Sequence, residues 1–271
     1  MCIYNGMISP KQKTMSINAK TLTGKIALIT GASRGIGKAT ALRLAKDGAI
    51  AAIHFAKEEK AAQETVATIQ ANGGDAFVVQ AELSTQAGIN SLFQQLDRQL
   101  TERTGSNQFD ILVNNAAIAP ASSLEGTDEE TFDQLFRVNV KGPFFLTQQA
   151  VQRIRENGRI INVSTILTRI GNPQTLAYAM TKGAIDIFTL NLAKQFGQKG
   201  ITVNAVSPGA TRTDMNPNLK TKEGRQAITA GTALGRYGEA SDIADVVAFL
   251  ASDDSRWVTG QTIEVSGGYS L

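Results

Sequence analysis

The chain has 271 residues, 42% hydrophobic and 19% charged, with a net charge of +3 and one cysteine and one histidine. That size and composition suit one large buried core and exclude a disordered chain. Lone Cys2 and lone His54 exclude an internal disulfide and a two-histidine or cysteine–histidine zinc site, so no metal is expected.

Residues 1–20 hold Lys11, Lys13 and Lys20 and no acid, leaving 24 residues of each sign elsewhere. No basic block therefore supports nucleic-acid binding. No uncharged apolar run reaches the ~18–20 residues of a membrane span, and no apolar signal segment opens the chain. The expected location is the cytoplasm. Residues 1–22 read as a disordered extension, with Met15 an alternative start, and residues 23–271 as a single domain.

In chain order, Lys25–Thr30 reads as a buried strand and Gly35–Asp47 as a helix ended by Gly48. Ala49–Phe55 is the next strand; within its apolar run His54 reads as a strand-end residue. A helix over Glu58–Asn72 stops at Gly73-Gly74, and Ala76–Gln80, Ala87–Leu100 and Ile111–Asn114 read as strand, helix and strand. Asp128–Arg155 carries a long helical pattern with a break expected near Gly142-Pro143. Arg159–Ser164, Leu176–Gln198 and Thr202–Ser207 read as strand, helix and strand. Arg212–Gly235 has no apolar period and reads as a loop. Ser241–Ser252 is a helix with Ser241 as N-cap, and Gln261–Val265 is the last strand. Short apolar strands alternating with amphipathic helices predict an α/β fold, a parallel sheet covered on both faces. Ligands of such sheets sit beyond the carboxyl ends of the strands.

Two features fall there. Gly31, Gly35 and Gly37, with Ser33, Arg34 and Ile36 between them, form a G-x-x-x-G-x-G turn between the first strand and first helix. Missing Cβ atoms let backbone N–H groups approach a pyrophosphate, which the helix start also favours; an ordinary strand–helix turn is the alternative. An NAD site usually has an acid at the end of the second strand. Here that place reads Ala56-Lys57, and Arg34 with Lys57 suits a 2′-phosphate, so NADP is favoured over NAD. A solvated helix-start lysine is the other reading of Lys57. The second feature is Tyr178 and Lys182, four apart and so on one helical face. They read as an acid–base pair or, taken alone, as a surface contact.

Together with Asn114-Asn115-Ala116, Asn139 and Pro208-Gly209, these motifs make residues 24–271 resemble the short-chain dehydrogenase/reductase family. The likeness is greatest to its 3-oxoacyl-acyl-carrier-protein reductases and related NADPH carbonyl reductases. The resemblance implies a single-domain Rossmann-type doubly wound sheet and hydride transfer between NADP(H) and a small carbonyl or secondary alcohol. It implies that Tyr178 is the acid/base and that Lys182 lowers its pKa and holds the nicotinamide ribose. It further implies that Asn139 positions a water leading to Lys182, and that Asn115, Ala116, Pro208, Gly209, Thr211 and Thr213 line the cofactor. Helices Asp128–Arg155 and Leu176–Gln198 pair between subunits in that family, implying a homotetramer.

Three positions depart from the family pattern. Thr165 stands thirteen residues before Tyr178 where serine is usual, keeping the hydroxyl and adding a methyl group; neighbouring Ser164 is the alternative. Ala117 stands where the Asn-Asn-Ala motif continues with glycine, and Glu82-Leu83 where aspartate marks the adenine edge. The first two leave an NADP-binding sensor or scaffold as the contrasting expectation. The loop Arg212–Gly235 resembles a substrate-covering lid.

Overall fold

A computed structural model describes residues 21–271. Most of the expected extension, residues 1–20, lies outside them. Leu22 falls inside the expected extension but is buried in the core.

The chain alternates β1 (Ile26–Ile29), α1 (Gly35–Lys46), β2 (Ile50–Phe55), α2 (Glu59–Ala71), β3 (Asp75–Gln80), α3 (Gln86–Thr104) and β4 (Phe109–Asn114). It continues through α4 (Glu129–Phe136), α5 (Gly142–Ala150), β5 (Ile154–Val163), α6 (Leu176–Phe196), β6 (Thr202–Pro208), α7 (Lys222–Ala230), α8 (Ala240–Ala251) and β7 (Thr262–Val265). All seven strands are parallel, in the order β3-β2-β1-β4-β5-β6-β7. This is the doubly wound Rossmann-type sheet expected from the pattern.

Period-two alternation splits the core into two layers. Ala27 and Ile29 of β1 face Ala41 and Leu44 of α1 and Val247 of α8 on one side. Ile26 and Leu28 face Leu92, Phe93 and Leu96 of α3 and Leu146 of α5 on the other. The order reverses between β1 and β4, so their carboxyl ends part and open the crevice such sheets use for ligands.

The break expected near Gly142-Pro143 is present, and three other expectations are corrected. Pro143 has no N–H to offer the Asn139 carbonyl four residues back, so an α-helical register cannot run through. A π turn at Arg137–Lys141 separates α4 from α5 and carries buried Asn139. The helix then ends at Ala150, and β5 begins early because Ile154 pairs with Phe109 of β4. Helix-compatible residues 151–155 yield there to sheet pairing. Residues 212–235 are not all loop, since α7 lies within them, started by Thr221 accepting the Gly224 N–H at 3.1 Å. The N-cap of α8 is Glu239, in a reciprocal capping box with Asp242, not Ser241.

Leu112 of β4 is fully buried in the α3-side layer. Leu112→Ala is expected to lower unfolding stability by about 2–5 kcal/mol, read from the urea midpoint at unchanged m-value.

Candidate active site

The glycine turn follows β1 directly. Gly31 and Gly35 have φ of +64° and +55°, where a side chain is strained. A Cβ on Gly37 would lie 2.3 Å from the Gly31 carbonyl, so only glycine lets α1 pack against the turn. Helices α3, α4 and α7 have their first N–H groups capped by Thr85, Asp128 and Thr221. Helix α1 has Arg34 as N-cap with no side-chain cap bond, and no acid in its first turn. Its open donors and positive dipole end suit a pyrophosphate.

Thr30 and Asn115 hold this turn. The Thr30 hydroxyl accepts the N–H groups of Asn115 and Ala116 at 2.9 and 3.0 Å and donates to the Val113 carbonyl at 3.2 Å. The Asn115 amide donates to the carbonyls of Thr30 and Gly31 at 2.8 and 3.1 Å. Its side chain thus serves the shape of the turn. Ser33 is buried, while Arg34 is exposed and 3.9 Å from the Asp214 carboxylate. Ala56 and Lys57 lie exposed after β2, and exposed Glu82 precedes buried Leu83 after β3. Pro208 at the end of β6 and Thr211 beyond it are buried, and the Thr213 methyl lies 3.3 Å from the position of a Cβ on Gly35. The segments flanking β1, β2, β3 and β6 therefore meet at one end of the sheet.

The reacting groups stand at the same end. Tyr178 and Lys182 are both buried on the first turns of α6. The Lys182 ammonium donates to the Val163 carbonyl at the end of β5 at 2.8 Å and lies 5.8 Å from the centre of the Tyr178 ring. Thr165, just past β5, hydrogen-bonds the Tyr178 phenol. Ser164 Oγ is buried without a partner among the described residues, so Thr165 and not Ser164 makes that contact.

Burial pushes the Tyr178 phenol up to about 12, opposed by the Thr165 hydrogen bond. Burial also brings the Lys182 ammonium down to about 8, opposed by the Asp186 carboxylate. Both shifts favour the neutral form of a group taken out of water. The Asn139 amide, in turn, is committed to protein partners. It accepts the Ile118 N–H and donates to the Ile118 carbonyl, each at 2.9 Å, and donates to Thr181 Oγ1 at 3.1 Å. The Thr181 hydroxyl donates in turn to the Tyr178 carbonyl at 2.7 Å. Asn139 thus clamps the loop after β4 to the helix that carries the tyrosine.

Two residues of the site escaped the sequence reading. Ser122 is buried, and its hydroxyl accepts the Tyr178 N–H at 3.2 Å while its carbonyl accepts the Ala177 N–H at 3.1 Å. Thr175, the N-cap of α6, makes no side-chain cap bond, so Ser122 caps this helix from 56 residues away. No local pattern announces that. His54 bridges Gly31 to Ala81, and its one visible signal was a polar residue in an apolar run.

Chemically, the site offers a phenol, an ammonium and a hydroxyl in a dry corner beside an anion-binding turn. A family model described as enoyl-(acyl carrier protein) reductase matches residues 31–270. Among solved structures, the promiscuous reductase LugOII, which catalyses keto-reduction at C1 during lugdunomycin biosynthesis, is 48% identical with a TM-score of 0.89, over 93% of this chain and 100% of that one. The angucycline C-6 ketoreductase LanV with bound NADP is 45% identical with a TM-score of 0.89, over 93% and 97%. The 3-oxoacyl-[acyl-carrier-protein] reductase FabG of Staphylococcus aureus is 38% identical over 246 residues, 90% of this chain and 97% of that protein. With the sheet order, the glycine turn and the Tyr178–Lys182 pair in place, the chain belongs to the short-chain dehydrogenase/reductase family of oxidoreductases acting on the C=O/CH–OH pair.

Proposed function

We propose that this enzyme is an NADPH-dependent ketoreductase whose substrate is a ketone on a fused polycyclic aromatic skeleton. The observation carrying the reading is the buried Thr165–Tyr178–Lys182 cluster, whose phenol is held protonated. NADPH, held by the glycine turn and the start of α1, would supply the hydride for the carbonyl carbon. The Tyr178 hydroxyl gives its proton to the carbonyl oxygen, which becomes the alcohol. A phenol at about 12 stays loaded with that proton across the working pH range, the state a reductase needs. Thr165 orients the phenol and, by its hydroxyl, the carbonyl oxygen. The Lys182 charge stabilises the phenolate left behind until solvent protons restore it. Asn139 and Ser122 keep the loop and α6 in register so that these atoms stay aligned.

The glycine turn and the start of α1 take the pyrophosphate, and Arg34 with Lys57 takes the 2′-phosphate, in keeping with the NADP bound by LanV. LanV was also solved with NADP and rabelomycin, and LugOII catalyses keto-reduction at C1 during lugdunomycin biosynthesis. Exposed Leu124, Leu176 and Met215 lie on segments leading to the reacting groups and suit an apolar, planar substrate. Further exposed apolar side chains lie on α4, α5 and α6 (Phe132, Phe144, Ile187 and Leu190), with Phe249, Trp257 and Leu271 elsewhere on the surface. Such exposed apolar residues suit a homotetramer, checked by light scattering. Among the described residues no helix is long and apolar enough to cross a membrane, and we place the enzyme in the cytoplasm.

Oxidation of NADPH in the presence of a polycyclic aromatic ketone, a small diketone and an acetoacetyl thioester tests the substrate. Turnover only of the thioester would replace this reading with an acyl-carrier one; cofactor binding without any turnover would favour a sensor or scaffold. Tyr178→Phe is expected to abolish turnover while NADPH affinity, from fluorescence titration, stays within a few-fold. Arg34→Ala with Lys57→Ala is expected to weaken NADPH by roughly tenfold or more and NADH far less, each lost charge-assisted contact being worth about 1.5–3 kcal/mol before surface screening. The Lys182 charge is full well below its depressed pKa and is lost as pH rises through about 8. The rate of ketone reduction at saturating substrates is therefore expected to fall over that window.

A further inference from the structure

His54 is the only histidine of the chain, lies in β2 and is 2% exposed. The Gly31 N–H donates to its Nδ1 at 3.1 Å. That makes Nδ1 the acceptor and leaves the ring proton on Nε2, which donates to the Ala81 carbonyl at 3.1 Å. Burial supports this neutral form by bringing the imidazole down to about 4, against a small opposing pull from the Glu82 carboxylate. The His54 carbonyl also accepts the Ala32 N–H at 2.9 Å. One residue thus joins the carboxyl ends of β1, β2 and β3.

The joined segments are those that face the cofactor in the reading above. Gly31 opens the phosphate-binding turn, and Ala81 precedes Glu82-Leu83 at the adenine edge. A glycine at positive φ moves between backbone states at little cost, so its peptide keeps a single direction only if other groups hold it. Asn115 holds the carbonyl of Gly31, at 3.1 Å. His54 holds its N–H.

We propose that His54 is a positioning residue for the cofactor: its Nδ1 fixes the Gly31 peptide, and with it the turn that receives the pyrophosphate. The proposal rests on the reading that the Gly31–Gly37 turn is where the dinucleotide binds. It assigns His54 no proton transfer and no contact with substrate.

The two ring nitrogens can be tested apart. An asparagine Oδ1 falls where Nδ1 lies and still accepts the Gly31 N–H; a glutamine amide reaches where Nε2 lies and still donates to Ala81. By fluorescence titration, His54→Asn is expected to bind NADPH within about threefold of the parent and His54→Gln at least about tenfold more weakly, as loss of a buried acceptor implies. The loss should fall on the Kd and KM for NADPH, not on kcat at saturating NADPH. Equal losses in both variants, or none in either, would overturn the proposal. The exposed pair Arg34→Ala with Lys57→Ala separates the two levels. If it leaves NADPH affinity unchanged, the cofactor reading and the proposal fall together, whereas parallel behaviour of the His54 variants removes the proposal alone. A measurement on the unsubstituted protein does not depend on either variant folding. With ¹⁵N-labelled histidine and no histidine tag, a single imidazole is observed at neutral pH. The expected result is a bare Nδ1 and a protonated Nε2, with the Nδ1 signal displaced by NADPH. A protonated Nδ1, or a signal that NADPH leaves in place, would contradict the role.

Discussion

The hydroxyl of Thr30 sits where β1 and β4 part, and it accepts two consecutive backbone N–H groups from Asn115 and Ala116. At that point the sheet has lost the ladder that would otherwise satisfy those donors, and a buried donor left unpaired is costly. One short side chain thereby fixes both lips of the crevice. From one lip runs the glycine turn; from the other runs the loop carrying Ile118 and Ser122. Asn139 grips the first of these and Ser122 the second half of the connection to α6. The position of the Tyr178 phenol relative to the anion-binding turn is set by this chain of backbone contacts.

Desolvation governs the chemistry of that corner. It raises the Tyr178 phenol and lowers the Lys182 ammonium, moving both toward their neutral forms. Burial thus leaves a protonated phenol near a cation that is lost as pH rises through about 8. The Lys182 hydrogen bond to the Val163 carbonyl holds the ammonium at the end of β5 and so at a fixed place beneath the phenol. Thr165, an atypical residue at its position in the family pattern, turns its hydroxyl to the tyrosine.

Much of the architecture was legible because it is local. Runs such as Ile26–Ile29 and Ile111–Asn114 can only be buried strands, and the helices between them carry a clear apolar face, so a parallel sheet follows. The glycine turn was legible too, since its requirement is steric: no side chain fits at Gly37. The failures share a cause. Residues 151–155 have helical composition but leave the helix through a turn, after which Ile154 pairs with Phe109 of β4. Residues 222–230 lack an obvious apolar stripe because α7 buries little beyond Ile228. The start of α8 was misread because Glu239 and Asp242 cap each other, while Ser241 merely looked the part.

The amino-acid sequence by itself determined the βα rhythm, the glycine turn and the presence of a tyrosine and a lysine on one helical face. These depend on spacing within a few residues. Tertiary structure alone decided that Tyr178 and Lys182 are buried, that Asn139 clamps a loop, and that Ser122 caps α6. It likewise decided that His54 ties three strand ends together. Each of those outcomes depends on burial or on partners 20 to 60 residues away in the chain, and dielectric environment and long-range hydrogen bonds are properties of the folded surroundings that no short pattern encodes.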